Sequence, residues 1–353
     1  MNMQSLKDIA EEAKKKAVKK WKEGVEFLSL KELMGMSIPP NQWKIDQIVP
    51  LEGITIISAP PASYKTWLIL QMAIDIAQGK PFLGKFPSSL GKVLMIDEEN
   101  HKRLIQKRLK ALGAHEDSPI HVLSKENFVA TEERMTKGIL EYCDEHGIDT
   151  IFIDSLVRIN RSDENDAGNM STVFRALSGL CDAKKTVIIT HHERKENGAR
   201  SSAANRMRGS SDIQAAVDSH LAISRDRDDP SHLYVEHAKS REELEIPMFE
   251  IVVHTETDRT WFEHLGSYDM GKKKKDEAKE VIPTVLRERT EGVAKTKLVA
   301  EVRKLVDVGG KNVQKAIEEL INEGLVRTEK GSGNTVVCFL AEPEAESSTE
   351  LVN

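Results

Sequence analysis

Between Gly53 and Val253 the chain alternates short apolar runs with helical stretches, and this alternation restricts its fold more than any other feature. The runs are ITIIS (54–58), KVLMI (92–96), TIFI (150–153), TVIIT (186–190) and SHLAI (219–223). Apolar strands with little polar alternation need cover on both faces, and the helical stretches between them are long enough to cross back over a sheet. The expected class is α/β, a doubly wound, mostly parallel sheet. After His220 the pattern alternates, in LYVEHAK (233–239), PMFEIVVH (247–254) and TWFEHL (260–265), which predicts antiparallel strands appended to that sheet.

A length of 353 residues leaves room for more than this one core. Residues 4–23 read as a polar helix with seven lysines against four acids. They form an interaction arm or a loosely packed solvated helix within a lead-in ending near residue 42. A core follows over 43–268. GKKKKDEAKE (271–280) reads as a charged linker that is itself helix-compatible, and three amphipathic helical patterns and a glycine-turned strand pair follow up to Leu340. Helix, helix, helix and hairpin is the order of a small winged-helix domain, expected over 269–340. The acidic AEPEAESSTELVN (341–353) is expected to be a disordered tail.

The net charge of −6 excludes a histone-like nucleic-acid coat but leaves local basic patches open. The three cysteines lie far apart without a CxxC pair, so neither a disulfide framework nor a thiolate zinc site is expected. With no signal-like segment and no apolar stretch near 18 residues, the expectation is a cytoplasmic protein with no membrane association.

The first strand runs into Ala59-Pro60-Pro61-Ala62-Ser63-Tyr64-Lys65-Thr66, followed by Trp67 and an apolar helix closed by Gly79. Strand, loop, lysine-threonine and helix is the context of a Walker A phosphate loop. The motif asks for glycine where Ala59 and Tyr64 stand, since loop N–H groups must approach phosphates closely and some positions need unusual dihedrals. Tyr64 is expected in a right-handed helical conformation with its ring outward. A proline-containing βα turn with a helix-starting lysine reads alike when taken alone.

TIFIDS places Asp154 at a strand end, where it suits a water-linked Mg²⁺ or a helix cap. KVLMIDEEN ends in Asp97, Glu98 and Glu99, and three adjacent acids cannot all be buried and ionised, so at least one should face a cation or a polarised water. TVIIT runs into His191-His192, whose side chains point to opposite faces and so do not chelate one metal together. ERKENGARSSAAN (193–205) has neither periodicity nor bulk and reads as a mobile loop.

In this order the parts resemble the RecA-fold ATPases, and among them the hexameric replicative helicases of the plasmid RepA type, within the broader AAA ATPase group. The resemblance covers about Trp43 to His264 and rests on MIDEENHKRLIQKRLKALGAH, DSLVRINRSDENDAGNM, IITHHERK and RMRGSSDIQAAVD. It implies ATP and Mg²⁺ as cofactors, held by the loop from Ala59 to Trp67, with Lys65 on the β- and γ-phosphates and Thr66 with Asp154 placing the metal. It implies Glu99 as the acid that orients or deprotonates the attacking water, with Glu98 as alternative. His192, before His191, would sense the γ-phosphate. No arginine stands in the loop itself. The resemblance also implies Arg208, beside Gly209-Ser210-Ser211, and Lys239-Ser240-Arg241 as fingers reaching a neighbouring subunit's ATP.

The same resemblance implies that the loop after His192 lines a channel for single-stranded DNA, with Arg194, Lys195, Arg200 and Arg206 on phosphates. No aromatic residue is interleaved, so base stacking is not expected. Residues 271–333 carry 15 basic against 11 acidic side chains, pointing toward nucleic acid, although winged helices also dock proteins. Lys311, Asn312, Gln314 and Lys315 would face outward at the start of a recognition helix, and Arg327 and Lys330 in a wing. The expected function is an ATP-driven motor on DNA. A RecA-like recombination or regulatory ATPase without unwinding and a non-hydrolysing DNA-binding scaffold are the alternatives.

Overall fold

The computed structural model of the chain describes residues 27–37, 42–161, 166–193, 211–226, 229–306, 308–333 and 335–341. The expected helix over 4–23, Arg194, Lys195, Arg200, Arg206, Arg208 and the acidic tail beyond 341 lie outside the described residues. The chain divides into two units, Met1–Gln42 and Trp43–Asn353. In the first, α1 (Leu30–Gly35) opens with a capping box in which the Ser29 hydroxyl accepts from the Glu32 N–H and the Glu32 carboxylate accepts from the Ser29 N–H.

The second unit opens with a short antiparallel pair, β1 (Trp43–Ile45) and β2 (Val49–Pro50). There follow β3 (Ile54–Ala59), α2 (Lys65–Gln78), β4 (Val93–Asp97), α3 (Lys102–Ala111), β5 (Ile120–Ser124), α4 (Glu133–His146), β6 (Thr150–Asp154), α5 (Ala167–Asp182), β7 (Thr186–His192), α6 (Ser211–Ala216) and β8 (Ser219–Arg225). Three further strands, β9 (His232–Ser240), β10 (Phe249–Thr255) and β11 (Thr260–Ser267), complete a nine-stranded sheet of order β11-β10-β9-β8-β3-β7-β6-β4-β5. The strands from β8 to β5 in that order pair in parallel, and β9 to β11 are antiparallel additions. This is the RecA-like P-loop fold.

The apolar runs divide between two cores with the two-residue period of a strand. Ile57, Val93, Met95, Phe152 and Ile188 pack on one face with Leu68, Ile69 and Met72 of α2. Ile56, Leu94, Ile96, Ile153 and Ile189 pack on the other with Val173, Leu177 and Leu180 of α5. Each fully buried aliphatic side chain contributes about 1.5–3 kcal/mol, so these two layers fix the sheet from both faces beneath the loops at its carboxyl end.

Four strands are absent from the sequence reading: the short pair β1 and β2, and two more. The edge strand β5 is half polar and only Ser124 in it is fully buried, so IHVLS carries little apolar signal. The other, β12 (Val293–Ala294), spans two residues and joins β13 (Val326–Lys330) and β14 (Val336–Leu340) in a small sheet of order β12-β14-β13. The run 271–280 is no extended linker: it forms the first turns of α7 (Met270–Arg287), capped by Asp269, whose carboxylate accepts from the Gly271 and Lys272 N–H groups. With α8 (Lys295–Leu305) and α9 (Gly310–Asn322), α7 and the small sheet enclose a separate core of Ile282, Leu298, Val302, Ile317 and Leu320.

Candidate nucleotide site

The order β7-β3-β8 makes β3 a switch point, because the chain leaves β3 and returns three strands away at β4 after passing over β7 and β6. Open α/β sheets bind ligands at such points, beyond the carboxyl ends of the strands. There a cleft of about 450 Å³ is lined by Pro60 through Trp67, with Glu99, Asn100, Arg108, His192 and Arg225. Ala59 closes β3 below it, fully buried, and its carbonyl accepts from the Glu193 N–H.

The phosphate loop corrects one expectation. Tyr64 is left-handed, with φ 57° and ψ 15°, not right-handed helical. Ala62 also has a positive φ, 62°. The loop therefore takes a glycine-like course without glycine. The Tyr64 ring does not point away from the protein but packs on the first core, with the Arg225 guanidinium 5.2 Å from its centroid. No side chain caps the amino end of α2, which leaves its first N–H groups and the positive end of the helix dipole to a ligand.

Lys65, the first residue of α2, is only 7% exposed, and its ammonium donates to the His191 carbonyl at 3.2 Å and meets His192 Nδ1 at 3.2 Å. Burial lowers its pKa, opposed by the charges of Asp154, Glu99 and Glu193. No carboxylate among the described residues bonds this buried ammonium, which sets it up to receive an anion. Beside it, the Thr66 hydroxyl donates to Asp154 Oδ2 at 2.8 Å and the Thr190 hydroxyl to Oδ1 at 2.5 Å. The hydroxyl and carboxylate are hard oxygen donors adjacent to the anion position, a set that suits Mg²⁺.

The three acids separate cleanly. Asp97 turns back on its own chain, accepting from the Glu99 and Asn100 N–H groups and from the Asn100 side chain, and burial raises its pKa. Glu98 accepts from the backbone of Glu126, Asn127 and Phe128, so it anchors the segment after β5. Glu99 alone turns to the cleft. Its Oε1 meets His192 Nε2 at 3.3 Å, accepts from the Ser155 hydroxyl at 2.7 Å and lies 3.7 Å from Arg158 Nε. Its pKa is lowered to about 2, first by the His192 hydrogen bond and then by Ser155 and the charges of His192 and Lys65. His192 thus bridges the lysine and the acid, while His191 points into the interior, fully buried.

Arginines also reach the cleft from within the chain, which the absence of arginine from the loop had not suggested. Arg108 of α3 sits 5.5 Å over the Trp67 ring, and its buried Nη1 has no hydrogen-bond partner among the described residues. Burial lowers its pKa against the pull of Asp154 and Asp97. The sequence signal existed: 105, 108, 109 and 112 form the apolar stripe of this helix, and Arg108 interrupts it.

Other expected residues stand elsewhere. Lys239 donates to the Gln214 and Ala215 carbonyls, and Arg241 pairs with Asp218 at 2.6 Å and donates to the Ala215 carbonyl. Asp218 in turn accepts from the Ile54 N–H, so both cations sit at the amino end of β3, away from the cleft of their own chain. Lys311, Gln314 and Lys315 are exposed on α9 while Val313, Ala316 and Ile317 are buried. Arg327 and Lys330 are exposed on β13.

None of the curated proteins compared with the chain matches it. The family model described as AAA domain matches residues 22–198, half of the chain and every element that builds the cleft except β8. With a lysine-threonine pair opening α2, an uncapped helix start behind the phosphate loop and a strand-end carboxylate beside it, the chain belongs to the AAA domain family of P-loop ATPases.

Proposed function

We propose that this ATPase is a RecA-fold motor on DNA of the plasmid RepA replicative-helicase type, working as a hexameric ring with a C-terminal winged helix. The observation that carries the reading is the bridge from Lys65 through His192 to Glu99, because β7 runs from His192 almost directly into residues 194–210. A side chain that touches both the phosphate-facing lysine and the acid is placed to pass the state of the nucleotide to the next segment. That segment carries Arg194, Lys195, Arg200 and Arg206, the proposed contacts to single-stranded DNA.

In this reading Lys65, the α2 N–H groups and Arg108 hold the phosphates and meet the charge that develops on them. Thr66 and Asp154 hold Mg²⁺, which when bound neutralises phosphate charge and orients the leaving group. Glu99 stays a carboxylate, held by His192 and Ser155, and orients the attacking water with its acceptor oxygens. Lys311 and Lys315 on the outer face of α9 give the proposed winged helix its DNA contacts. Arg208, Lys239 and Arg241 are the proposed fingers toward a neighbouring subunit.

ATP turnover with and without single-stranded DNA, run beside strand separation on a tailed duplex, tests this. Stimulated turnover with unwinding is the expected result. Stimulation without unwinding leaves a DNA-dependent recombination or regulatory ATPase, a reading favoured by Lys239 and Arg241 being engaged inside their own chain. No turnover at all leaves the DNA-binding scaffold. In mixtures, inactive Lys65→Ala and Arg241→Ala subunits should restore part of the turnover, since some interfaces then combine an intact loop with an intact finger.

A further inference from the structure

Ala62 and Tyr64 both adopt positive φ in a loop without glycine, and both touch the same side chain from another strand. Arg225 closes β8, next to β3 in the sheet. Its Nη1 donates to the Ala62 carbonyl at 3.1 Å, and its guanidinium lies 5.2 Å from the centre of the Tyr64 ring. The Nε donates to the Pro230 carbonyl at 2.5 Å, which fixes the guanidinium from the β8–β9 connection. On its other side the Tyr64 ring packs against the first core.

A residue with a Cβ adopts this conformation only when its surroundings hold it there. A planar, always-charged fork can bond a carbonyl in its plane and cover a ring with its face at once, and a lysine ammonium cannot do both. We propose that Arg225 is a positioning residue of the phosphate loop: by bonding Ala62 and covering Tyr64 it holds the loop in the course that glycine provides elsewhere. Nucleotide affinity then depends on a side chain about 160 residues beyond the motif, a separation visible in the hydrogen bond itself. Tyr64 in turn makes Arg225 necessary.

The inference rests on the cleft being the nucleotide site, and Arg225 also lines that cleft. A direct charge contact to a phosphate is therefore the rival explanation, and a double-mutant cycle separates the two. Affinity for a fluorescent ATP analogue and turnover at saturating ATP are measured for wild type, Arg225→Ala, Arg225→Lys, Tyr64→Gly and Tyr64→Gly/Arg225→Ala. Bracing predicts that both Arg225 substitutions weaken binding about tenfold and lower saturating turnover by less than they lower affinity, with Tyr64→Gly setting the reference for the second arm of the cycle. In the glycine background, Arg225→Ala should cost less than about threefold, because the loop no longer needs the brace. An equal loss in both backgrounds, or wild-type affinity in Arg225→Lys, overturns the proposal in favour of direct charge contact. Lys65→Ala binding as well as wild type would instead overturn the nucleotide site. The brace is then decided by the same cycle read from urea unfolding of the ligand-free protein, where coupling between positions 64 and 225 supports it and strict additivity overturns it.

Discussion

Three lysines of the core are buried almost equally, and they are used in opposite ways at the two ends of the sheet. At the amino end, Lys44 and Lys185 are 2% and 7% exposed and meet carboxylates, Asp149 at 3.0 Å and Asp144 at 2.7 Å. At the carboxyl end, Lys65 is also 7% exposed, but its hydrogen bonds go to a carbonyl and an imidazole. Arg108 repeats the pattern there with a buried nitrogen that has no partner among the described residues. A buried cation closed by its own carboxylate holds elements together, whereas one left open carries a desolvation cost that an incoming anion relieves. The amino end is built for stability and the carboxyl end for binding.

The largest expected effect tests the open end. Lys65→Ala should lose nucleotide affinity and reduce ATP turnover about a thousandfold, while urea unfolding shows little loss of stability, since the desolvation cost of the ammonium offsets its attraction to Asp154, Glu99 and Glu193. A destabilised variant would place Lys65 with its amino-end counterparts. Glu99→Gln keeps the shape of the cleft but not the anion, so turnover should drop about a hundredfold with ATP still bound. Equilibrium binding beside steady-state kinetics reads both parts. Arg108→Ala should weaken ATP binding about tenfold, the worth of one charge-assisted bond; unchanged affinity would mean that its free nitrogen serves no ligand.

At the closed end the sign reverses. Lys185→Ala leaves Asp144 and the Ile148 carbonyl without their donor, and should cost about 1–3 kcal/mol in urea unfolding with turnover intact. The smallest effect is a pH dependence. The Glu99 pKa is depressed in the folded chain to about 2, so its contribution to stability is present above the unfolded value and is lost as the pH falls through the folded one. The stability difference between wild type and Glu99→Gln should therefore be constant above about pH 5 and shrink toward pH 2. A difference that instead shrinks near neutrality would mean that Glu99 is not held by His192 and Ser155.

The closed pairs also explain a small residue. A Cβ on Gly91 would stand 2.5 Å from Asp149 Oδ1 and 2.8 Å from Lys44 Nζ, so glycine there makes room for the pairing of a buried lysine with a half-exposed carboxylate. No motif announces this, because the partners are spread along the sequence and only meet across the sheet.

Much of the site was readable before folding because its groups sit at the ends of strands that declare themselves. TIFID and TVIITHH are buried on both faces, so their last residues had to emerge where parallel sheets bind ligands. Lys65 and Thr66 followed from the strand, loop and helix around them. The edge strand β5 did not declare itself, since an edge needs less apolar surface, and Arg225 lay outside every motif. Tyr64 departs from the expected right-handed conformation because helical propensity is a local quantity, while its left-handed conformation is held by the core beneath and a guanidinium from β8.

What the sequence by itself determined is therefore the class of fold, the strands, the lysine and threonine that open α2, and a set of acids and histidines at strand ends. Only the tertiary structure decided which acid faces the cleft, which buried lysine stays without a carboxylate and which arginine braces the loop. The reason is that neighbours in the sheet are not neighbours in the chain. Side-chain period and apolar content are local and survive in the sequence, whereas the partner of a charge depends on the order β8-β3-β7-β6-β4, which crossings between distant segments create.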